Sequence, residues 1–269
     1  MKDDVYYYNH ARWEALVNAN ALFSRPKLNL DKEGASDYLG LERLGLDWDL
    51  KEKNVLCLAG GGGQQSVAFA LLGANVSVFD ISPSQLEVDK SAAEHYGVTI
   101  NTFQGDMRDL SCFDGKSFDI IWHPYSLTFV PDSRVVFREV SRIMKDGGIY
   151  YLMCANPFFS GMTHNNWSGD GYALKTPYED EVLTSYPDQE WVYDRSQDKI
   201  QEPREYKQTF SRIINGLIEE GFLLSHFSEV KSDSSEALPG SWEHFTNIAP
   251  PWVELIWNFH PKVFDKEAK

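Results

Sequence analysis

The sequence has no run of about 18 apolar residues, so it predicts no membrane-spanning helix. Residues 1–6 lack the apolar core of a signal peptide, and we expect none there. The three cysteines, Cys57, Cys112 and Cys154, are an odd number with no Cys-x-x-Cys pair. Neither a disulfide framework nor a zinc site is indicated, and the scattered histidines suggest no other metal. These absences favour a reduced, cytoplasmic setting.

Basic residues are also scarce. The chain has 25 Lys and Arg against 40 Asp and Glu, a formal net charge of −15. Such a chain is repelled by phosphate backbones and anionic lipid, so we expect no nucleic-acid partner and no membrane partner. Its 269 residues suffice for one large α/β domain with a substantial core.

Residues 55–80 give the clearest indication of a binding site. Residues 55–59 are nearly all apolar, as expected of a strand buried on both faces, and four glycines follow at 60–63. Residues 64–72 read as a helix, residues 76–79 as a second strand, and that strand ends on Asp80. Glycines let the backbone turn sharply against a ligand, and an acid at the strand tip accepts hydrogen bonds from ribose hydroxyls. The unit predicts a site for a nucleoside-containing cofactor.

A dinucleotide cofactor is the first alternative, because Gly-x-Gly-x-x-Gly is its usual loop. The third glycine is missing here: counted from Gly60 or Gly61, that position holds Gln65 or Ser66. The chain also lacks a Tyr-x-x-x-Lys pair. An NAD(P)-dependent oxidoreductase is therefore disfavoured but stays open.

The short Gly-x-Gly pattern with an acid at the next strand's end resembles the class I S-adenosylmethionine-dependent methyltransferases. Ala59, Gly61 and Gly63 stand where that family has three small residues, and Asp80 matches its ribose-binding acid. The pair at 105–106, one strand–helix–strand unit later, matches the family's Gly-Asp beside the adenine.

Further segments extend the resemblance. A strand beginning with Phe118 and a loop ending in Pro131 and Asp132 are similar to the family's fourth motif. The run Ala-Gly-Gly-Gly-Gly-Gln-Gln at 59–65, together with an N-terminal Tyr-Asn and Trp, is similar to a subgroup of small-molecule methyltransferases. One departure stands out: Cys57 occupies the place where the family usually has an acid that helps hold the methionine amino group.

The resemblance implies an α/β fold: a Rossmann-like, doubly wound, seven-stranded and mostly parallel sheet whose last strand is antiparallel. We expect a single domain over 1–269, with a helical cap at 1–45 and a cofactor-binding core at 46–155. Residues 156–205 are expected to be a long lid insertion after strand five, and residues 206–269 to complete the sheet.

Local patterns predict the less regular parts of the fold. Apolar spacing favours helices at 11–23 and 36–44. Near the end of the chain we expect a polar loop at 232–239 and the seventh strand within 248–259.

The resemblance assigns S-adenosyl-L-methionine as cofactor and a set of residues to it. These are Ala59, Gly60, Gly61, Gly63, Gln64, Gln65, Asp80, Ile81, Gly105, Asp106, Met107 and His123. The residues expected at the acceptor or in the lid are Tyr8, Asn9, Trp13, Tyr125, Phe158 and Trp167.

No catalytic side chain is firmly indicated. His123 follows strand four, where the reactive methyl should point, and is a candidate to orient the acceptor or take a proton. Tyr125 and His164 are weaker candidates. The predicted reaction is transfer of a methyl group to a small molecule by in-line displacement. A non-catalytic module that binds S-adenosylmethionine is a second alternative, and the acceptor atom and the oligomeric state stay open.

Overall fold

The computed structural model describes residues 2–46, 49–185, 200–232 and 236–261. The helices are α1 (Asp4–Asn18), α2 (Lys32–Leu39), α3 (Gln65–Leu71), α4 (Pro83–Tyr96), α5 (Ser133–Ile143), α6 (Phe210–Glu219) and α7 (Trp242–Ile248). The strands are β1 (Asn54–Leu58), β2 (Asn75–Asp80), β3 (Ile100–Gln104), β4 (Phe118–His123), β5 (Met144–Ala155), β6 (Leu183–Thr184), β7 (Glu205–Tyr206), β8 (Phe222–Val230) and β9 (Trp252–Phe259).

Seven strands form one sheet in the order β3-β2-β1-β4-β5-β9-β8. The pairs from β3 to β5 are parallel, whereas β9 runs antiparallel to both β5 and β8. The predicted mostly parallel sheet with an antiparallel last strand is confirmed. The chain winds outward in opposite directions from β1 and β4, and the crevice at their carboxyl ends is where such sheets bind ligands.

The sheet is covered on both faces, which explains why its central strands are apolar runs without alternation. On one face Val136 and Phe137 of α5 and Leu217 of α6 pack against the sheet. On the other, Leu39 of α2 and Phe69 of α3 do so. These two clusters hold the strand ends in fixed positions.

The N-terminal helices differ from the predicted bounds. α1 begins at Asp4, earlier than expected, because the Asp3 side chain accepts a hydrogen bond from the Tyr6 N–H. Its Tyr-rich first turns have no clear apolar period. α2 spans Lys32–Leu39 rather than 36–44, because Asp31 caps its start and Gly40, at φ 66°, ends it.

The predictions for the later segments also need correction. α7 was not predicted, although Ser241 caps it, and the seventh strand begins only at Trp252. The insertion after β5 holds a 3₁₀ turn at His164–Asn166 and the small antiparallel pair β6–β7. Residues 186–199 of the expected lid, and residues 47–48 at the start of the expected core, lie outside the described residues.

Candidate active site

A cavity of about 370 Å³ lies at the carboxyl ends of the central strands, beneath α1. This volume is within the range of small-molecule sites. Most residues predicted for the cofactor line it: Ala59, Gly60, Gly61, Gln64, Gln65, Asp80, Ile81, Gly105, Asp106 and Met107. Gly63 and His123 are not part of its wall.

The glycine loop after β1 forms the floor of the cavity. A Cβ atom at Gly61 would lie 2.7 Å from Cβ of Gln85, and one at Gly60 would lie 3.2 Å from Cγ of Pro124. Side chains at these positions would push the loop away from α4 and from the segment after β4. The glycines therefore allow bare backbone to form the cavity wall.

Asp80 stands at the end of β2 and reaches the same floor. Its Oδ2 accepts a hydrogen bond from the Gly61 N–H at 3.0 Å, and its Oδ1 accepts one from the Ser82 N–H at 2.9 Å. Burial raises the pKa of this carboxyl, and the backbone N–H groups act in the opposite direction. Each oxygen keeps a further lone pair, so the carboxylate can accept from two hydroxyl groups of a ligand.

Asp106 follows β3 and is held by a cation. Nη2 of Arg108 lies 2.6 Å from its Oδ2, and the same guanidinium donates to both oxygens of Asp3 at 2.8 Å. Gly105 precedes it because a Cβ there would come 2.3 Å from the Phe79 ring. Asp106 and Met107 thus combine a fixed polar edge with an apolar surface.

His123 does not reach the cavity, which corrects the expectation that it lies in the pocket. The ring is fully buried, with Nδ1 2.7 Å from the Tyr150 hydroxyl and Nε2 2.8 Å from Oγ of Ser126. Burial lowers its pKa to about 3, so the ring is neutral at ordinary pH. Ser126, which His123 positions, is the side chain that lines the cavity.

Only some of the residues predicted for the acceptor and the lid line the cavity. Asn9, Trp13 and Tyr125 line the cavity, but Tyr8, Phe158, Trp167 and the candidate base His164 do not. Tyr8 donates to the carbonyl of Glu202, Phe158 stacks on Tyr178, Trp167 packs against Tyr172 and His244, and the His164 ring contacts Trp242.

Gln64, predicted at the cofactor, also joins the loop to the N-terminal segment. Its Nε2 donates to the carbonyls of Phe23 and Arg25, and its Oε1 accepts from the Tyr38 hydroxyl at 3.2 Å. The start of α3 is thereby tied to the residues between α1 and α2.

Several cavity residues were missed from the sequence. They include Arg12, Phe129, Phe159, Glu205, Trp242 and Trp252. Trp252 reaches the cavity because β9 starts beside the end of β5, where Ala155 pairs with it. The density of aromatic residues near Trp242 and Trp252 is the signal that would have indicated them.

Helix α1 is tied to three strand ends around the cavity. Asp3 meets Arg108 after β3, and Nδ2 of Asn9 donates to the carbonyl of Phe129 after β4 at 2.9 Å. The Glu14 carboxylate accepts from two serine hydroxyls at the start of α4, after β2. The N-terminal helix therefore forms part of the cavity wall.

A doubly wound sheet with a glycine loop and an acid at its crevice defines an α/β protein of the nucleoside-binding type. Residues 56–152 match the family model described as a methyltransferase domain. The uncharacterized methyltransferase YbaJ of Bacillus subtilis (strain 168) is 37% identical over 191 residues, which is 69% of this chain and 72% of that protein. The chain belongs to the class I S-adenosylmethionine-dependent methyltransferases.

Two other similarities fit this family. The ubiquinone biosynthesis O-methyltransferase of Xanthomonas oryzae pv. oryzae (strain PXO99A) is 31% identical over 108 residues, 40% of this chain and 45% of that protein. The match thus spans less than half of that relative. The crystal structure of an S-adenosylmethionine dependent methyltransferase from Mesorhizobium loti aligns with a TM-score of 0.62 at 19% identity, over 84% of this chain and 99% of that one. At 19% identity this structural similarity supports the fold alone.

Proposed function

We propose that this methyltransferase moves the methyl group of S-adenosylmethionine to a small, largely apolar acceptor enclosed in the cavity. The observation that carries the proposal is the distribution of side chains along the carboxyl edge of the sheet. Asp80 and Asp106 lie on the β2 and β3 side, whereas Tyr125, Trp242 and Trp252 lie on the β4 and β9 side.

On the first side, the residues present suit the nucleoside of the cofactor. Asp80 would accept from the ribose hydroxyls, and Asp106 and Met107 would face the adenine. The bare backbone at Gly60 and Gly61 would lie against the methionine part. The fit rests on the buried carboxylate with spare lone pairs and on the loop that tolerates no side chain.

On the second side, five rings form a continuous wall. Ring centroids are 6.0 Å apart for Trp13 and Phe129, 6.3 Å for Phe129 and Tyr125, 6.3 Å for Tyr125 and Trp252, and 5.6 Å for Trp252 and Trp242. Such a wall favours an apolar or ring-bearing acceptor.

One polar contact is set into that wall. The Tyr125 hydroxyl donates to Oε2 of Glu205 at 3.0 Å, and Glu205 is only 2% exposed. We propose that this pair orients the hydroxyl or amine of the acceptor, since the carboxylate and the phenol oxygen, whose proton goes to Glu205, can each accept a hydrogen bond from it.

S-adenosylmethionine, when bound, supplies a methyl group that is already activated on a sulfonium. The chain's own task is to exclude water and to hold the acceptor in line, which supplies most of the rate gain by proximity. α1 and the aromatic wall would perform that task, and no side chain need act as general base.

Calorimetry with S-adenosylhomocysteine and with NAD tests the cofactor. We expect binding of the former only, and an Asp80→Asn variant should bind it about 1.5–3 kcal/mol more weakly, because a charge-assisted hydrogen bond to the ribose is lost. Asp109→Asn, in the loop after β3 but outside the cavity wall, is the matched control. Tight NAD binding without a response to S-adenosylhomocysteine would refute the assignment.

The acceptor class needs a separate measurement. A panel of small phenols, amines and carboxylic acids, scored by release of S-adenosylhomocysteine, should give turnover with ring-bearing phenols or amines. Turnover confined to small, strongly charged acceptors would contradict an apolar acceptor site.

We also propose a cytoplasmic location. Cys57 and Cys154 are buried free thiols and Cys112 is an exposed one, which suits a reducing compartment. Among the described helices, none combines the length and apolar character that crossing a bilayer requires. Fractionation of cells with an antibody against the chain would test the location.

A further inference from the structure

Asp89, on α4, is a buried carboxylate with no part in the function described so far. It is 0% exposed. Its Oδ2 accepts from the Gly62 N–H at 2.8 Å, and its Oδ1 accepts from the Gly63 N–H at 3.0 Å and from the Ser66 hydroxyl. All three of these donors, two backbone N–H groups and one hydroxyl, are neutral. Burying a carboxyl group away from any cation is costly, so its contacts should serve a purpose.

The contacts determine how the glycine loop is oriented. The N–H of Gly61 points to Asp80, and the next two point to Asp89, so three consecutive donors turn toward carboxylates. Gly62 and Gly63 have φ values of 113° and 66°, in the region that favours glycine. Such a flexible segment keeps a single conformation only when its polar groups are bound.

Asp89 also lies beneath the same loop as Cys57, the residue that departs from the family pattern. The Cβ of Cys57 is 3.6 Å from the place where a Cβ of Gly60 would stand. Burial raises the pKa of the Cys57 thiol, and the nearby Asp89 adds to the effect, so the thiol stays neutral. The carboxylate beneath the loop therefore comes from α4 and not from β1.

We propose that Asp89 is the positioning residue of the cofactor loop. By binding the Gly62 and Gly63 N–H groups from below, it holds Gly60 and Gly61 against the cavity. It also supplies, from α4, the carboxyl group that the family usually places at position 57. The inference rests on the proposed binding of S-adenosylmethionine at this loop.

Calorimetry with S-adenosylhomocysteine and amide hydrogen exchange of the ligand-free protein test the proposal. Asn in place of Asp89 keeps the shape but has one acceptor oxygen instead of two. Asp89→Asn should bind S-adenosylhomocysteine about ten- to hundredfold more weakly and lose exchange protection at Gly62 and Gly63. Glu87→Gln, at an exposed position on the same helix, should change neither.

Moving the carboxyl group from α4 to β1 separates this role from general support of the core. Cys57→Asp combined with Asp89→Ala should bind S-adenosylhomocysteine more tightly than Asp89→Ala alone, because a carboxylate on β1 lies under the same loop. Loss of a merely structural side chain would not be rescued in this way.

The outcomes distinguish this proposal from the proposed function. A folded Asp89→Asn variant with unchanged affinity and protection would overturn the role of Asp89. Should the single variants not fold, the double variant decides: binding by a folded protein supports the proposal, and failure to fold or to bind overturns it. Absence of binding by the unmodified chain would instead refute the proposed function, and exchange at Gly62 and Gly63 would still report on Asp89.

Discussion

Two buried side chains, Asp89 and His123, have pKa values far from those of the same groups in solution. Burial raises the pKa of Asp89 to about 7, against the opposing effect of its hydrogen bonds, and the neighbouring Asp80 charge raises it further. Burial lowers the pKa of His123 to about 3. Both shifts favour the neutral form, as expected where water is excluded.

The two shifts make opposite contributions to stability. Between about pH 4 and pH 6.5 native Asp89 holds a proton that the unfolded chain has released, so its contribution to the free energy of unfolding falls as pH rises. In the same interval the unfolded chain protonates His123 and the native state does not, so that contribution rises. Each amounts to at most about 1.4 kcal/mol per pH unit, and together they nearly cancel.

We therefore predict opposite changes in two variants. From pH 4.5 to 6.5 the unfolding free energy of Asp89→Asn should rise more steeply with pH than that of the unmodified chain, and that of His123→Gln should rise less steeply. Urea unfolding at four pH values, compared as slopes, measures both. If the unfolding free energies of both variants changed with pH in parallel with that of the unmodified chain, the pKa of neither group would be shifted as described.

At the scale of elements, α1 links the N-terminal segment to the cofactor end of the cavity. The Arg108 guanidinium bridges Asp3, the N-cap residue of the helix, and Asp106, beside the expected adenine. This ion pair holds the pKa of Asp3 well below its usual range. Because Asp3 is partly exposed, we expect a modest contribution, on the order of 0.5–1 kcal/mol.

Asp3→Asn isolates the charge, since Asn is as good an N-cap as Asp. We predict that the variant binds S-adenosylhomocysteine about two- to fivefold more weakly and that the amides of the first turn of α1 exchange faster. Asp31→Asn makes the same change at the N-cap of α2, away from Arg108, and should leave binding unaltered. Equal effects of the two variants would argue against the bridge.

At the scale of the whole molecule, the cap and the sheet have separate cores. Leu16, Ala19, Ala21 and Ile200 form a small cluster of their own, distinct from the two clusters on the faces of the sheet. The sheet therefore does not depend on α1 for its apolar packing. The ligand cavity does, because α1 supplies part of its wall.

A chain lacking residues 1–25 should therefore keep its sheet, seen by circular dichroism, and lose turnover and most of its affinity for S-adenosylmethionine. Removal of α1 opens the cavity to water and deletes Asn9, Trp13 and the ties to the strand ends. Binding and turnover that survive the truncation would show that α1 is dispensable as a lid.

The sequence by itself determined the central part of the fold and the cofactor side of the site. A strand that is buried on both faces must be apolar throughout, and a loop pressed between two elements must be built of glycine residues. β1, β2 and residues 60–63 can therefore be predicted from the local sequence. Asp80 was found because its position at a strand tip follows from the same local pattern. The bounds of α1 were missed because capping by Asp3 and ties to distant residues override a weak apolar period.

Only the tertiary structure decided the acceptor side and the roles of the buried charges. Trp252 lines the cavity because β9 inserts between β5 and β8, an order that no local periodicity encodes. His123 was predicted just past β4 but is the last residue of that strand, and its ring turns into the core toward Tyr150. In the sequence, Asp89 is one polar residue among several on a predicted helix. Its hydrogen bond to the Gly62 N–H, 27 positions away, exists only because α4 packs against the glycine loop. Local patterns specify burial and turns, whereas the partner of a buried polar group is fixed by packing between elements.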